Sequence, residues 1–167
     1  MNKGQLERML MRGMWHIRHR TKRGVLIAEY DIKNAITDEG MNYLLQTGFN
    51  AGAALNPWYI GLIDSTGFTA IATSDVMASH TGWSELTAYS NATRPTWGSG
   101  TATARAITNA TAAALNMNAT NTVKGLFITS DSTKGGTTGK LWSAALFGSA
   151  VLVNNTDVLD ATYSLSG

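Results

Sequence analysis

Apolar and polar residues alternate through VLIAEYDIK, Val25 to Lys33, closely enough to predict a strand with one buried face. The next run, NAITDEGMNYLLQTGF, changes to helical spacing and predicts one short helix over residues 38–47. Thr37 or Asp38 can cap it, Asp38 and Glu39 suit its positive N-terminus, and Gly48 is placed to stop it. WYIGLI, Trp58 to Ile63, is almost continuously apolar, as a strand buried on both faces would be. After a long connection, Asp64 to Trp83, with room for a short extended piece at residues 68–72, the segments SELTAYS, ATARAIT, TAAALNM, TVKGLFITS, LWSAALFG and DVLDATYSLS follow. They come at intervals of roughly ten to fifteen residues, divided by Gly, Asn, Asp and Thr clusters, which is the rhythm of an antiparallel sandwich or jelly roll. DSTKGGTTG, Asp131 to Gly139, reads as a hairpin loop, and Asn154-Asn155 with Asp157 as a turn. The expected fold is therefore mainly all-β, one domain over residues 24–167, with a single helix.

Residues 1–23 follow a different pattern. Leu6, Met9, Leu10 and Met14 recur at helical spacing, with Arg8 and Arg12 on another face, so a short amphipathic helix is expected within a basic N-terminal arm. Such a helix is marginal alone in water, so its apolar side must dock on the chain's own body or on a partner. Trp15, Arg18 and Arg20 extend the arm and, with Leu6, Met9, Leu10, Arg12 and Met14, make its candidate partner-binding surface. Charge supports a division of the chain: residues 1–33 carry a net +5 and the remainder −3. Basic residues beside an aromatic can also grip phosphates, but the stretch is short, matches no nucleic-acid-binding signature and precedes an acidic body, so nucleic acid is not an expected partner.

Composition narrows the chemistry further. Charged residues make up 14% of the chain, below the ~25% usual in soluble domains, so the expected surface is polar by hydroxyl and amide and suited to lying against protein. With no Cys, disulfides, thiolate catalysis and cysteine-based zinc sites are excluded. No apolar run nears the ~20 residues that span a bilayer, and the first residues lack a signal-peptide core, so the expectation is a soluble, cytoplasmically made chain.

The stretch from Ala78 to Gly98 concentrates large aromatics among small residues, and Trp83, Tyr89 and Trp97, with Trp58, are expected to brace the body. Pro95 biases Arg94 to an extended backbone, from which its guanidinium can pair with Glu85 and stack on Trp83 or Trp97. KGGTTGKLW is not a phosphate loop: three residues separate Gly135 from Gly139 where the motif needs four, and Leu141 follows Lys140 where Ser or Thr is required. His16, His19 and His80 lack ligand spacing, and His80 with Glu85 could act as an acid–base pair only if a nucleophile converged on them. No cofactor, metal or catalytic residue is expected.

The succession KNAITDEGMNYLL, PWYIGLID, TSDVMASHTGWSELTAYSNATRPTW, AITNATAAALNMNATNTVKGLFITS, STKGGTTGKLWSAALF and DVLDATYSLS resembles small virion proteins of tailed bacteriophages and prophages, most closely the capsid decoration, or cement, group. The resemblance runs from about residue 33 to the C-terminus, and Trp58–Leu62, His80–Trp97 and Lys124–Phe127 carry it. It implies a non-enzymatic β-rich protein on the capsid exterior, a dimer or trimer that binds the major capsid protein and bridges neighbouring subunits. The alternative within the virion is a tail, baseplate or fibre component, with Trp83 or Trp97 stacking on sugar.

Overall fold

Alternation of period two also runs through the basic N-terminal stretch, and there it sets the structure. Trp15, Ile17 and His19 are buried while Arg12, Met14 and Arg18 are exposed, and Arg12–Arg20 forms β1. In the computed structural model, which describes residues 11–167, β1 lies inside the sheet, paired with β2 (Leu26–Ile36) on one side and β10 (Val158–Ser166) on the other. The expected arm is thus corrected from Arg12 onward: Arg12, Met14, Trp15, Arg18 and Arg20 are strand residues of the body. Leu6, Met9 and Leu10 lie outside the described residues. The physical reason is Trp15, 0% exposed against Tyr163 at 4.9 Å. Burying so large a side chain is worth at most roughly 4–6 kcal/mol, and the strand places it in the core. Thr21 to Val25 close the β1–β2 hairpin, with Gly24 at φ +85° and the Thr21 carbonyl and hydroxyl accepting from Gly24 N and Val25 N.

The remaining elements are α1 (Asp38–Phe49), β3 (Trp58–Asp64), β4 (Glu85–Leu86), β5 (Thr96–Trp97), β6 (Ala106–Thr108), β7 (Ala113–Asn116), β8 (Asn121–Thr129) and β9 (Leu141–Val153). They form one curled antiparallel sheet in the order β4-β3-β8-β9-β2-β1-β10-β6, with β5 added to β3 and β7 to β10. The mainly β, antiparallel expectation with one short helix holds. No strand covers residues 68–72, and the SELTAYS segment supplies only the two residues of β4.

The curl follows from what is buried together. Trp15, Ile17, Leu115, Leu159 and Tyr163 from one half of the sheet share a core with Ile60, Leu62, Leu126, Ile128 and Phe147 from the other. The outer face of β3, β8 and β9 is covered as well: Ile63, Phe127, Leu141 and Ala144 pack under Met77 and Trp83 from the long connection before β4. That double burial explains the nearly unbroken apolar runs of β3 and β8.

Helix α1 seats on β9. The Thr37 hydroxyl accepts from Gly40 N at 3.0 Å, Glu39 accepts from Leu141 N at 2.8 Å, and a Cβ on Gly40 would lie 2.4 Å from the Trp142 carbonyl. The helix passes Gly48 and ends at Asn50, whose N–H reaches the Gln46 carbonyl.

Candidate functional site

The most polar buried assembly is built around Arg94. Its residue is 1% exposed, held between β4, the segment entering β5 and the β8–β9 loop. The Arg94 N–H bonds to the Ser132 carbonyl at 2.8 Å, and the Pro95 carbonyl accepts from Ile60 N at 2.9 Å, so the backbone is pinned on both sides. The guanidinium donates from Nε to Glu85 Oε1 (3.0 Å) and from Nη2 to Glu85 Oε2 (2.8 Å), a two-pronged pair. Nη1 donates to the Asp131 carbonyl and Nη2 to the Gly136 carbonyl, each at 2.8 Å. Glu85 also accepts from Gly135 N at 2.6 Å and from the Tyr89 hydroxyl at 3.1 Å. Burial first, and then the Glu85 carboxylate, drive the Tyr89 hydroxyl far above its ordinary pKa, so it stays a donor. Lys134 Nζ caps this node, 2.8 Å from the Tyr89 carbonyl and 4.5 Å from its ring centroid.

The β8–β9 loop is thus tied to β4 through Gly135 and to the segment entering β5 through Asp131 and Gly136. Asp131 shapes it locally, accepting from the Thr138 hydroxyl and from Thr133 N; the Thr138 bond does most to lower its carboxyl below the ordinary range. The guanidinium lies over Phe127, 5.3 Å from the ring centroid, whereas Trp83 and Trp97 were the expected surfaces. Room for that ring comes from Gly61, directly opposite it, where a Cβ would meet Phe127 carbons at 2.2 and 2.4 Å.

A hollow of about 290 Å³ opens beside the node, lined by His80, Trp83, Glu85, Arg94, Phe127 and Gly136 among others. His80 stacks on Trp83 at 3.9 Å and, because a carbonyl can only accept, donates from Nδ1 to the Trp83 carbonyl at 3.0 Å. Glu85 spends its oxygens on Arg94, Tyr89 and Gly135, which leaves it unsuited to take a proton from a substrate.

The other expected braces fall into two groups. Trp83 belongs to the outer cluster, its Nε1 donating to Asp75 at 2.9 Å. Trp58 and Trp97 belong to the inner core with two aromatics the sequence reading did not single out, Trp142 and Tyr163. Trp97 Nε1 donates to the Tyr163 carbonyl at 3.1 Å, Trp142 Nε1 to its hydroxyl at 2.9 Å, and Asn34 Nδ2 to that hydroxyl at 2.9 Å. Trp83 and Trp97 are 5% and 9% exposed with their indole N–H groups occupied, so neither offers a face for sugar stacking.

The basic residues of β1 meet acids across the sheet. Arg18 pairs with Glu29 at 3.1 Å, His16 with Asp31 at 2.8 Å, and Arg20 with Asp160 through Nε and Nη2. Three side chains of a surface expected to seek an acidic partner are thus paired within the fold. A second buried pair joins His19 Nε2 to Asp157 Oδ2 at 3.0 Å. Burial pushes the Asp157 carboxyl up, but the bonds from His19 and Asn154 outweigh it and hold the group below its ordinary pKa. Its signal in the sequence was the odd-numbered set Trp15, Ile17, His19, visible once the stretch is read with period two.

Among the described residues no three His, Asp or Glu side chains converge as a metal site would, and no helix is long and apolar enough to cross a membrane. Fold and site together define a curled antiparallel β body whose ionisable clusters tie its own loops together. No protein-family model matches the chain, and no curated protein is significantly similar to it.

Proposed function

We propose that this chain is a non-enzymatic virion structural protein, a capsid decoration protein that binds the major capsid protein on the shell exterior and bridges its subunits as an oligomer. The observation that carries the reading is the Arg94 node, where a buried arginine and glutamate are consumed in fixing β4, the segment entering β5 and the β8–β9 loop to one another. That arrangement stiffens a surface and presents little for turnover, which is the property a clamp on a pressurised shell requires. On this proposal the two halves of the curled sheet, which share the inner core, are the leaves of a sandwich or jelly roll. The order of sequence blocks that resembles decoration proteins supports that location. Repetition over many sites lets a modest interface stabilise a shell, because linked contacts act at high effective concentration.

Quantitative mass spectrometry of purified particles carrying this gene tests the proposal. Hundreds of copies per particle support a shell protein, a handful or dozens move it to the tail, and absence from particles overturns the reading.

A further inference from the structure

Side chains do not fill the inner core where it meets α1. There Tyr43 and Leu44 of the helix face strands from both halves of the sheet across a second hollow, of about 220 Å³. Four of its walls are aromatic, Tyr43, Trp58, Trp97 and Trp142, and the others are Leu or Ile, so no charged side chain among the described residues lines it. The walls are set by contacts made outside the hollow. The Tyr43 hydroxyl accepts from Leu55 N at 2.6 Å, and the indole N–H groups of Trp97 and Trp142 donate to the Tyr163 carbonyl and hydroxyl. Tyr43 meets Trp58 edge-on at 5.2 Å, and Trp58 meets Trp142 edge-on at 6.2 Å, which makes a continuous aromatic row.

Shape, polarity and charge together select an occupant. Every lining residue is buried or half-buried, so the hollow is a recess and not a face on which a strand or helix of another protein could lie. A held water needs about two to four polar partners, and these wall groups spend theirs on Leu55 and Tyr163; a sugar is disfavoured for the same reason. A cation could sit against the rings, but with no carboxylate among the walls it would be desolvated without a counter-charge. Glu39, one turn before Tyr43 on α1, is already bonded to Lys140 and Leu141 N. What remains is a neutral apolar molecule. An apolar cavity of about 150 Å³ takes up benzene, so this larger one has room for a single ring with small alkyl substituents.

We infer that the hollow is a binding site for a compact, neutral, single-ring aromatic small molecule of the alkylbenzene class. The aromatic row favours a ring over a saturated occupant of equal size, because edge-to-face and offset ring pairs add to what burial alone supplies. Nothing in this site draws on the Arg94 node.

The test uses the intact chain and toluene in sealed samples, followed through the indole N–H resonances by proton–nitrogen NMR. Saturable shifts are expected for Trp58, Trp97 and Trp142 and not for Trp83, which belongs to the outer cluster, together with a rising midpoint of thermal unfolding as toluene is added. Phenyltrimethylammonium, a ring of the same size carrying a fixed positive charge, should bind about tenfold or more weakly. Ile107→Trp sets an indole into the hollow from β6 and should weaken toluene binding about tenfold or more. If that variant does not fold, the contrast between the two probes on the wild-type chain still decides. Absence of saturation, equal shifts at Trp83, or phenyltrimethylammonium binding as tightly as toluene overturns the inference. So does toluene binding that emerges only in the full-length variant Leu6→Asp, Leu10→Asp, which gives the hollow to the chain's own first residues. A dimer in light scattering that Ile107→Trp returns to monomer gives it to a side chain of a second copy, and likewise overturns the inference. None of these results alters the copy number per virion, so this inference and the proposed function fail separately.

Discussion

Arg94 shows how one residue can fix a large part of a surface. Removing it leaves Glu85 buried without its two guanidinium donors, and frees the Asp131 and Gly136 carbonyls. Breaking a buried pair from one side costs about 3–5 kcal/mol, while replacing both partners with well-packed apolar residues is often neutral. Arg94→Ala should therefore lower the midpoint of thermal unfolding sharply, and Arg94→Met with Glu85→Leu should recover much of the loss. An Arg94→Ala protein as stable as wild type would remove the node from the account of rigidity. Gly61→Ala tests the neighbouring layer, since Phe127 must leave its place for any Cβ to fit. A loss of about 1–3 kcal/mol in urea unfolding is expected, as for other overpacked cores. Acid probes the carboxylates: Asp131 and Asp157 are held below their ordinary range in the folded chain, so the unfolded chain binds protons first as pH falls. Their contribution is complete above about pH 4 and is lost below it, and Asp157→Asn should flatten the acid limb of a stability–pH curve.

At the scale of elements, the strands with long apolar runs were legible and the short ones were not. β3, β8 and the first half of β9 are buried on both faces, so their sequences carry an unmistakable hydrophobic signal. β4 and β5 have two residues each, and what holds the chain there is the set of side-chain bonds of Arg94 and Glu85, a pairing the Arg94-Pro95 stretch suggests, rather than a strand-length apolar pattern. β1 was misread for a sharper reason. Its outward positions include His16, Arg18 and Arg20, and in sequence they form a basic cluster; only the acids at 29, 31 and 160, brought beside them by pairing, reveal three cross-strand ion pairs. Exposed pairs of this kind are worth about 0.2–1 kcal/mol each, so they tune the strand and Trp15 with Ile17 secure it. Deleting residues 1–23 should consequently unfold the body rather than trim an arm: β2 and β10 lose their shared neighbour, and two fully buried side chains leave the core. A truncated chain with native circular dichroism and a cooperative melt would reverse that conclusion.

For the whole molecule, the question is whether two cores mean two folding units. The inner cluster and the outer one under Met77 and Trp83 lie on opposite faces of the same three strands, β3, β8 and β9. Neither can lose its strands without exposing the other. Unfolding should therefore be a single cooperative transition, as small domains usually show. Tryptophans report on both sides, Trp15, Trp97 and Trp142 within and Trp83 without, so a Trp83→Phe variant reads the inner core while wild type reads both. Denaturation curves of the two by fluorescence, and of each by far-ultraviolet circular dichroism, should superimpose once shifted for any change in stability. An early fluorescence transition present in wild type and missing from the variant would mean that the covering connection opens on its own, and the stiffness attributed to the body would then belong to the inner core alone.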